Sequence, residues 1–121
     1  MLAADHRLRD SESFRRAVRA GRRAGSAALV VHLGSQQGTA HAPARVGVVV
    51  NRAVGNAVAR NQVKRRLRHL LRAQLDRLPA GADLVVRAQP AAAGLTTPEL
   101  SAQLDRCLQR VLTGPIEREN L

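Results

Sequence analysis

Residues 60–72 read RNQVKRRLRHLLR; six of the thirteen are arginine or lysine and none is acidic. Guanidinium groups offer planar, bidentate donors to phosphate oxygens, while an ammonium is a compact charge with three rotatable donors. Lys64 is the only lysine in the chain, against 19 arginines. Asn61, inside the run, can donate to a phosphate or base edge and accept from a ribose hydroxyl. Such a set neutralises several phosphates together and releases their counterions, giving an affinity that falls steeply with salt. A face that merely kept the chain soluble would intersperse Glu at i±4, and this one has none.

No catalytic constellation accompanies the run. His6, His32, His41 and His69 are scattered, and none stands at metal-ligand spacing with Cys, Asp or Glu. No glycine-rich phosphate loop of the Walker type occurs. Metal-assisted phosphodiester cleavage needs paired carboxylates near the bound anion, yet residues 13–75 contain 13 Arg or Lys and no acid. We therefore assign no catalytic or metal-binding residue. Chemistry on a nucleic acid would have to draw its reacting groups and metal ions from elsewhere.

The totals point the same way. A net charge of +11 is a self-repulsion that a polyanion would relieve, so nucleic acid or an anionic membrane surface is implied. With one Phe and no Tyr or Trp, the core must be aliphatic and aromatic base stacking is confined to Phe14 and the histidines. The single cysteine, Cys107, excludes an internal disulfide and has the spacing of a buried helical thiol. No apolar run approaches the about 20 residues that span a bilayer, and no signal segment opens the chain. A cytoplasmic protein without a membrane partner is expected.

The 121 residues suffice for one domain, with an ordered core over about 7–113 and a tail at 114–121. Asp10 is a candidate N-cap for a helix with Phe14 and Val18 as its apolar stripe, stopping at Gly21. Residues 27–33, 45–50 and 83–88 are short β-branched runs that predict strands, and 34–43 reads as a mobile loop. His32 falls in the first strand as a surface or half-buried filler. A long helix starts after Gly55-Asn56 and runs to about Leu78, and a last helix has Thr97 as its cap and Pro98 at its first position. The order helix-strand-strand-helix-strand-helix gives an α+β fold, a small α/β sandwich with helices on one sheet face and the other partly open.

At ~100° per residue, Val63, Leu67, Leu70, Leu71, Gln74 and Leu78 form one stripe of the long helix. Arg60, Asn61, Lys64, Arg65, Arg68 and Arg72 fill an adjacent arc of roughly 140°. Arg66 points elsewhere, as an ordinary solvated charge.

Gly55-Asn56-Ala57-Val58, then Arg60-Asn61, Lys64-Arg65 and Arg68, resemble without a gap the signature of the bacterial ribonuclease P protein family. The likeness extends over about residues 7–112. It implies an α/β sandwich with a left-handed βαβ crossover around the signature helix. It further implies a subunit that binds a large catalytic RNA, which with Mg²⁺ removes the 5′ leader from precursor transfer RNA. The Mg²⁺ would be held mainly by the RNA and none by the protein alone. Arg60, Asn61, Lys64, Arg65 and Arg68 would contact the catalytic RNA. Phe14, Val18, His32 and Arg52 match a leader-binding cleft, with Val18 where many members carry an aromatic, His32 where tyrosine is frequent, and Asn51-Arg52-Ala53 replacing Ser-Lys-Lys. Two other classes remain open: a structural or ribosomal RNA-binding protein using the same ridge, and a DNA-binding regulator. The second lacks a partner helix at helix-turn-helix spacing, and no DNA partner is expected.

Overall fold

The computed structural model describes residues 6–8, 10–35 and 42–113. Helix α1 (Ser11–Ala20) is followed by strands β1 (Arg22–Gly25), β2 (Leu29–Ser35) and β3 (Arg45–Val50). Helix α2 (Ala57–Arg72), strand β4 (Ala82–Ala88) and helix α3 (Thr97–Thr113) complete the chain order. The four strands form one sheet in the order β1-β2-β4-β3, antiparallel except for the β3–β4 pair. Those two parallel neighbours are joined through α2, so the ridge-bearing helix is the crossover of a βαβ unit.

Side chains alternate across a sheet, and the alternation separates two layers. Leu29, Val31, Val46, Leu84 and Val86 face Val63, Leu67 and Leu71 of α2 and Leu100, Leu104, Cys107, Leu108 and Val111 of α3 in one aliphatic cluster. Burying each such Leu or Val contributes roughly 1.5–3 kcal/mol, so this layer carries most of the fold's stability. The opposite face carries only a small cluster of Leu8, Ala17 and Val85 with Phe14 against it. The expectation of helices on one face alone is thus corrected: α2 and α3 cover one side and α1 crosses the other.

Glycines let α1 come close. A Cβ on Gly47 would collide with the Phe14 ring, and one on Gly34 would stand 3.0 Å from the Ala17 Cα. Polar groups fix its start. Asp10 caps it by accepting from the Ser13 backbone N–H at 2.9 Å. Arg45 donates from Nε and Nη2 to the two oxygens of Asp83, both at 2.9 Å, and from Nη2 to the Ser13 hydroxyl at 3.2 Å. Asp83 is 1% exposed, so its carboxylate is the charge that could not be left without a partner.

Several element boundaries differ from those read in the sequence. β1 was not expected, because Arg22 and Arg23 have no strand signal of their own. Pairing with β2 and the Arg22 guanidinium's 2.7 Å bond to the Val111 carbonyl hold it. Helix α2 stops at Arg72 rather than near Leu78, and a 3₁₀ turn at Leu75–Arg77 leads to an extended Leu78, as the following Pro79 demands. Thr96, not Thr97, caps α3: its hydroxyl accepts from the Glu99 N–H while the Glu99 carboxylate accepts from the Thr96 N–H. Most of the loop expected at 34–43, and the tail at 114–121, lie outside the described residues.

Candidate nucleic-acid interface

The start of α2 is fixed by three small devices. Asn51 accepts from the Ala53 N–H at the head of a 3₁₀ turn, Arg52–Val54. Gly55 takes φ 154°, a backbone region that disfavours side chains. Asn56 then caps the helix, accepting from the Ala59 N–H at 2.9 Å. The Gly-Asn pair of the signature therefore aims the helix.

Beyond that cap the aliphatic stripe turns inward and the basic flank outward. Val63, Leu67 and Leu71 are buried, whereas Asn61, Arg65 and Arg72 are exposed and Arg60, Lys64 and Arg68 are half-buried. Arg45 and Arg77 form ion pairs elsewhere in the molecule, and among the described residues no carboxylate pairs with the ridge. The Arg60 Nε is buried without a hydrogen-bond partner. Arg66 is corrected: it is half-buried and donates to the Leu95 carbonyl at 3.3 Å, tying α2 to the segment before α3.

A second surface opens beside α1. Phe14, Arg15, Val18 and Arg19 of the helix and Val49, Val85 and Arg87 of the sheet line a cavity of about 350 Å³. Val18 is 38% and Val49 37% exposed, so the stripe read as core is half wall of an open cleft. Of the four residues that the resemblance assigned to a cleft, Phe14 and Val18 line this cavity. Arg52 does not line the cavity; it is exposed in the turn after β3. His32 does not line it either, and is 3% exposed beneath the same face rather than a surface filler. Arg15, Arg19, Val49, Val85 and Arg87 were missed: Val49 lies in an unbroken run of valines, and only the charge of Arg87 within an otherwise apolar strand marks an outward position.

Electrostatics differ between the two edges of this face. Asp10 is held below its ordinary pKa, first by the Ser13 backbone bond and also by the nearby Arg45. Arg45 is raised, chiefly by its hydrogen bond to Asp83. His32 is pushed down by burial and by the positive charges of Arg87 and Arg23, so its ring is neutral at pH 7. Among the described residues, no three His, Cys, Asp or Glu side chains converge as a metal site.

Fold and surfaces together define a small α/β sandwich with two cationic faces, one on a helix and one around a cleft, neither paired with a carboxylate among the described residues. Residues 2–112 match the Ribonuclease P family model. The chain is 61% identical over 111 residues to a ribonuclease P protein component from a Nocardioides species, covering 92% of this chain and 95% of that one. It is 52% identical over 120 residues to the Streptomyces bikiniensis counterpart, covering 94% and 98%. Among solved structures, the RNase P protein of Staphylococcus aureus superposes with a TM-score of 0.78 at 26% identity, over 89% of this chain and 98% of that one. The Thermotoga maritima RNase P protein gives 0.73 at 26% identity, over 87% and 96%. The chain belongs to the ribonuclease P protein family. Membership implies a part in an endoribonuclease that processes transfer RNA, in partnership with the ribonuclease P RNA.

Proposed function

We propose that the chain docks on the ribonuclease P catalytic RNA through Arg60, Asn61, Lys64, Arg65 and Arg68, and holds the 5′ leader of precursor transfer RNA in the cleft beside Phe14 and Val18. His32 lies beneath that cleft and Arg52 at the exit of β3, within the same basic surround. Hydrolysis of the leader is assigned to the RNA with Mg²⁺. The protein's share is binding and orientation, in the cytoplasm where precursors are processed.

The observation that carries this reading is the outward flank of α2. Its cations are held by a buried aliphatic stripe, have no acidic partners among the described residues, and so meet a polyanion with little desolvation of existing ion pairs. A helix used only for structure would have no reason to keep such a flank unpaired.

Reconstitution tests it. Purified protein added to folded catalytic RNA and precursor transfer RNA at low Mg²⁺ is expected to restore release of the leader. Failure to rescue, with the RNA independently shown to be folded, would overturn the assignment and favour a structural RNA-binding role.

A further inference from the structure

The seam between α3 and β1 carries a third set of cations. Gln103 fixes which flank of α3 faces this edge of the sheet: its side-chain oxygen accepts from the Ser26 hydroxyl at 2.6 Å and from the Ala28 N–H at 3.1 Å. Arg106 and Arg110 follow it by three and seven residues, so at ~100° per residue both lie within about 60° of it on the helix wheel. Asp105 falls about 160° away on the same wheel. It pairs with Arg77, beyond the far end of α2.

Two reciprocal bonds lace the seam. Arg22 of β1 donates from Nη1 to the Val111 carbonyl at 2.7 Å, and Arg110 of α3 donates from Nη2 to the Gly25 carbonyl at 3.1 Å. A carbonyl carries no net charge, so each guanidinium is positioned without being neutralised, and most of its five N–H donors stay open. Arg106 and Arg110 are exposed and Arg22 is half-buried; none of the three pairs with a carboxylate among the described residues. Glu99 shares the flank, but it lies nearly two turns before Arg106 and its carboxylate accepts from the Thr96 N–H. Arg106 and Arg110, four residues apart on one helix face, repel each other in the free protein.

This edge lies apart from both surfaces already described. Helix α3 packs over β1 and β2 and α2 over β3, and β1 and β3 are the outer strands of the sheet. Arg66 reaches Leu95 from the side of α2 nearer α3, so the ridge on the other side of the stripe faces away from α3. With neighbouring strands roughly 4.8 Å apart, the two outer strands stand about 14 Å apart before side chains are added. That exceeds the Debye length of about 8 Å at physiological salt, so the two sets of cations act independently. None of Arg22, Arg106 and Arg110 lines the cleft beside α1.

We propose that Arg22, Arg106 and Arg110 form a second dock for the catalytic RNA, resting on the α2 docking reading above, and that it holds a stretch of phosphodiester backbone separate from the one on α2. A polyanion relieves the repulsion between Arg106 and Arg110. The two laced guanidinium groups are already in place, so little side-chain freedom is lost on binding. Their open N–H pairs suit phosphate oxygens. Transfer RNA fits less well, since the leader reading puts the precursor on the α1 face of the sheet and this flank belongs to the α3 layer. Charge that merely guarded the β1 edge against a second copy would not need Arg106, which bonds to no strand among the described residues.

Hydroxyl-radical footprinting of the catalytic RNA with saturating full-length protein, in the presence and absence of precursor transfer RNA, tests the second dock. The wild type is expected to protect two separate stretches of the catalytic RNA's backbone. Arg106→Gln with Arg110→Gln should expose one stretch and leave the other, and Arg60→Ala, Lys64→Ala, Arg68→Ala combined should do the reverse. The salt slope of binding should be flatter by about two counterions in the α3 double variant. It should be flatter by about one in Arg106→Gln alone, which breaks no bond among the described residues. An unchanged footprint and slope in the folded α3 variants would overturn the dock, and self-association of the double variant would then assign the charges to guarding the β1 edge. Protection lost from the precursor instead of the catalytic RNA would overturn it in favour of the substrate. A wild type that does not bind the catalytic RNA would overturn the α2 reading and this dock together, whereas a slope and footprint altered only by the α2 substitutions would remove this dock alone.

Discussion

On one side of the sheet, Leu29, Val31, Leu84 and Val86 meet Val63 and Leu67 of α2 and Leu104, Cys107 and Leu108 of α3, none more than 2% exposed. On the other side α1 is held by Phe14 over Gly47, Ala17 over Gly34, and the Asp83–Arg45–Ser13 hydrogen bonds. The first interface excludes water and is closed. The second is short of apolar area and leaves a cleft walled by half-exposed Val18 and Val49. The first layer stabilises the molecule and, at its rim, aims the α2 ridge. The second trades closure for a surface that a ligand can enter, and uses polar bonds with strict geometry to keep α1 in place.

Substitutions that strike one layer at a time should separate these roles. Leu108→Ala in the closed layer is expected to cost about 3–5 kcal/mol in urea unfolding, since its surroundings are too well packed to collapse fully. Folded molecules should still prefer precursor over mature transfer RNA; a lost preference in the folded fraction would mean that the layers are not separable. Asp83→Ala leaves Arg45 without its partner. Arg45 is about a quarter exposed, so the loss is expected near 2–3 kcal/mol rather than at the full value for a buried pair. Here precursor preference should fall while affinity for the catalytic RNA holds. A parallel fall in both would show that α1 and the ridge act as one unit.

Arg66→Ala removes the bond to the Leu95 carbonyl and should cost about 1 kcal/mol, with no change in RNA affinity. Weakened RNA binding would move Arg66 onto the ridge. The smallest effect concerns pH. The folded-state pKa of His32 lies below its ordinary 6.5, so the unfolded chain takes up the proton more readily. Stability from this group is complete above 6.5 and is lost as pH falls through that value towards the folded one. Asp10 adds a separate loss only further down, because its carboxyl is held below 3.8. Urea midpoints measured between pH 7.5 and 5 should decline for the wild type and flatten in His32→Phe; a rise on acidification would contradict the neutral, buried ring.

The sequence was most informative where a local rule and the tertiary fold agree. The Asp10 cap, the inward stripe and outward flank of α2, and the buried face of α3 all follow from periodicity and capping. Reading failed where distant groups override local preference. Nothing near Arg22 announces a strand, because its support comes from a carbonyl 89 residues away. Arg66 looks like any surface arginine until Leu95 is brought beside it. Arg45 and Asp83 are 38 residues apart, and only the parallel β3–β4 register makes them a pair. The same register gathers Arg87 and Val49 into the cleft, whereas the resemblance alone suggested His32 and Arg52 as lining.

The central claim is that the outward flank of α2 is the dock for the catalytic RNA. Its most direct test is the salt dependence of binding to that RNA, compared between the wild type and Arg60→Ala, Lys64→Ala, Arg68→Ala combined. The expected result is weaker binding and a slope flatter by up to about three counterions, one for each phosphate contact removed. A folded triple variant with an unchanged slope would mean that the ridge faces solvent in the complex and that the RNA is held elsewhere.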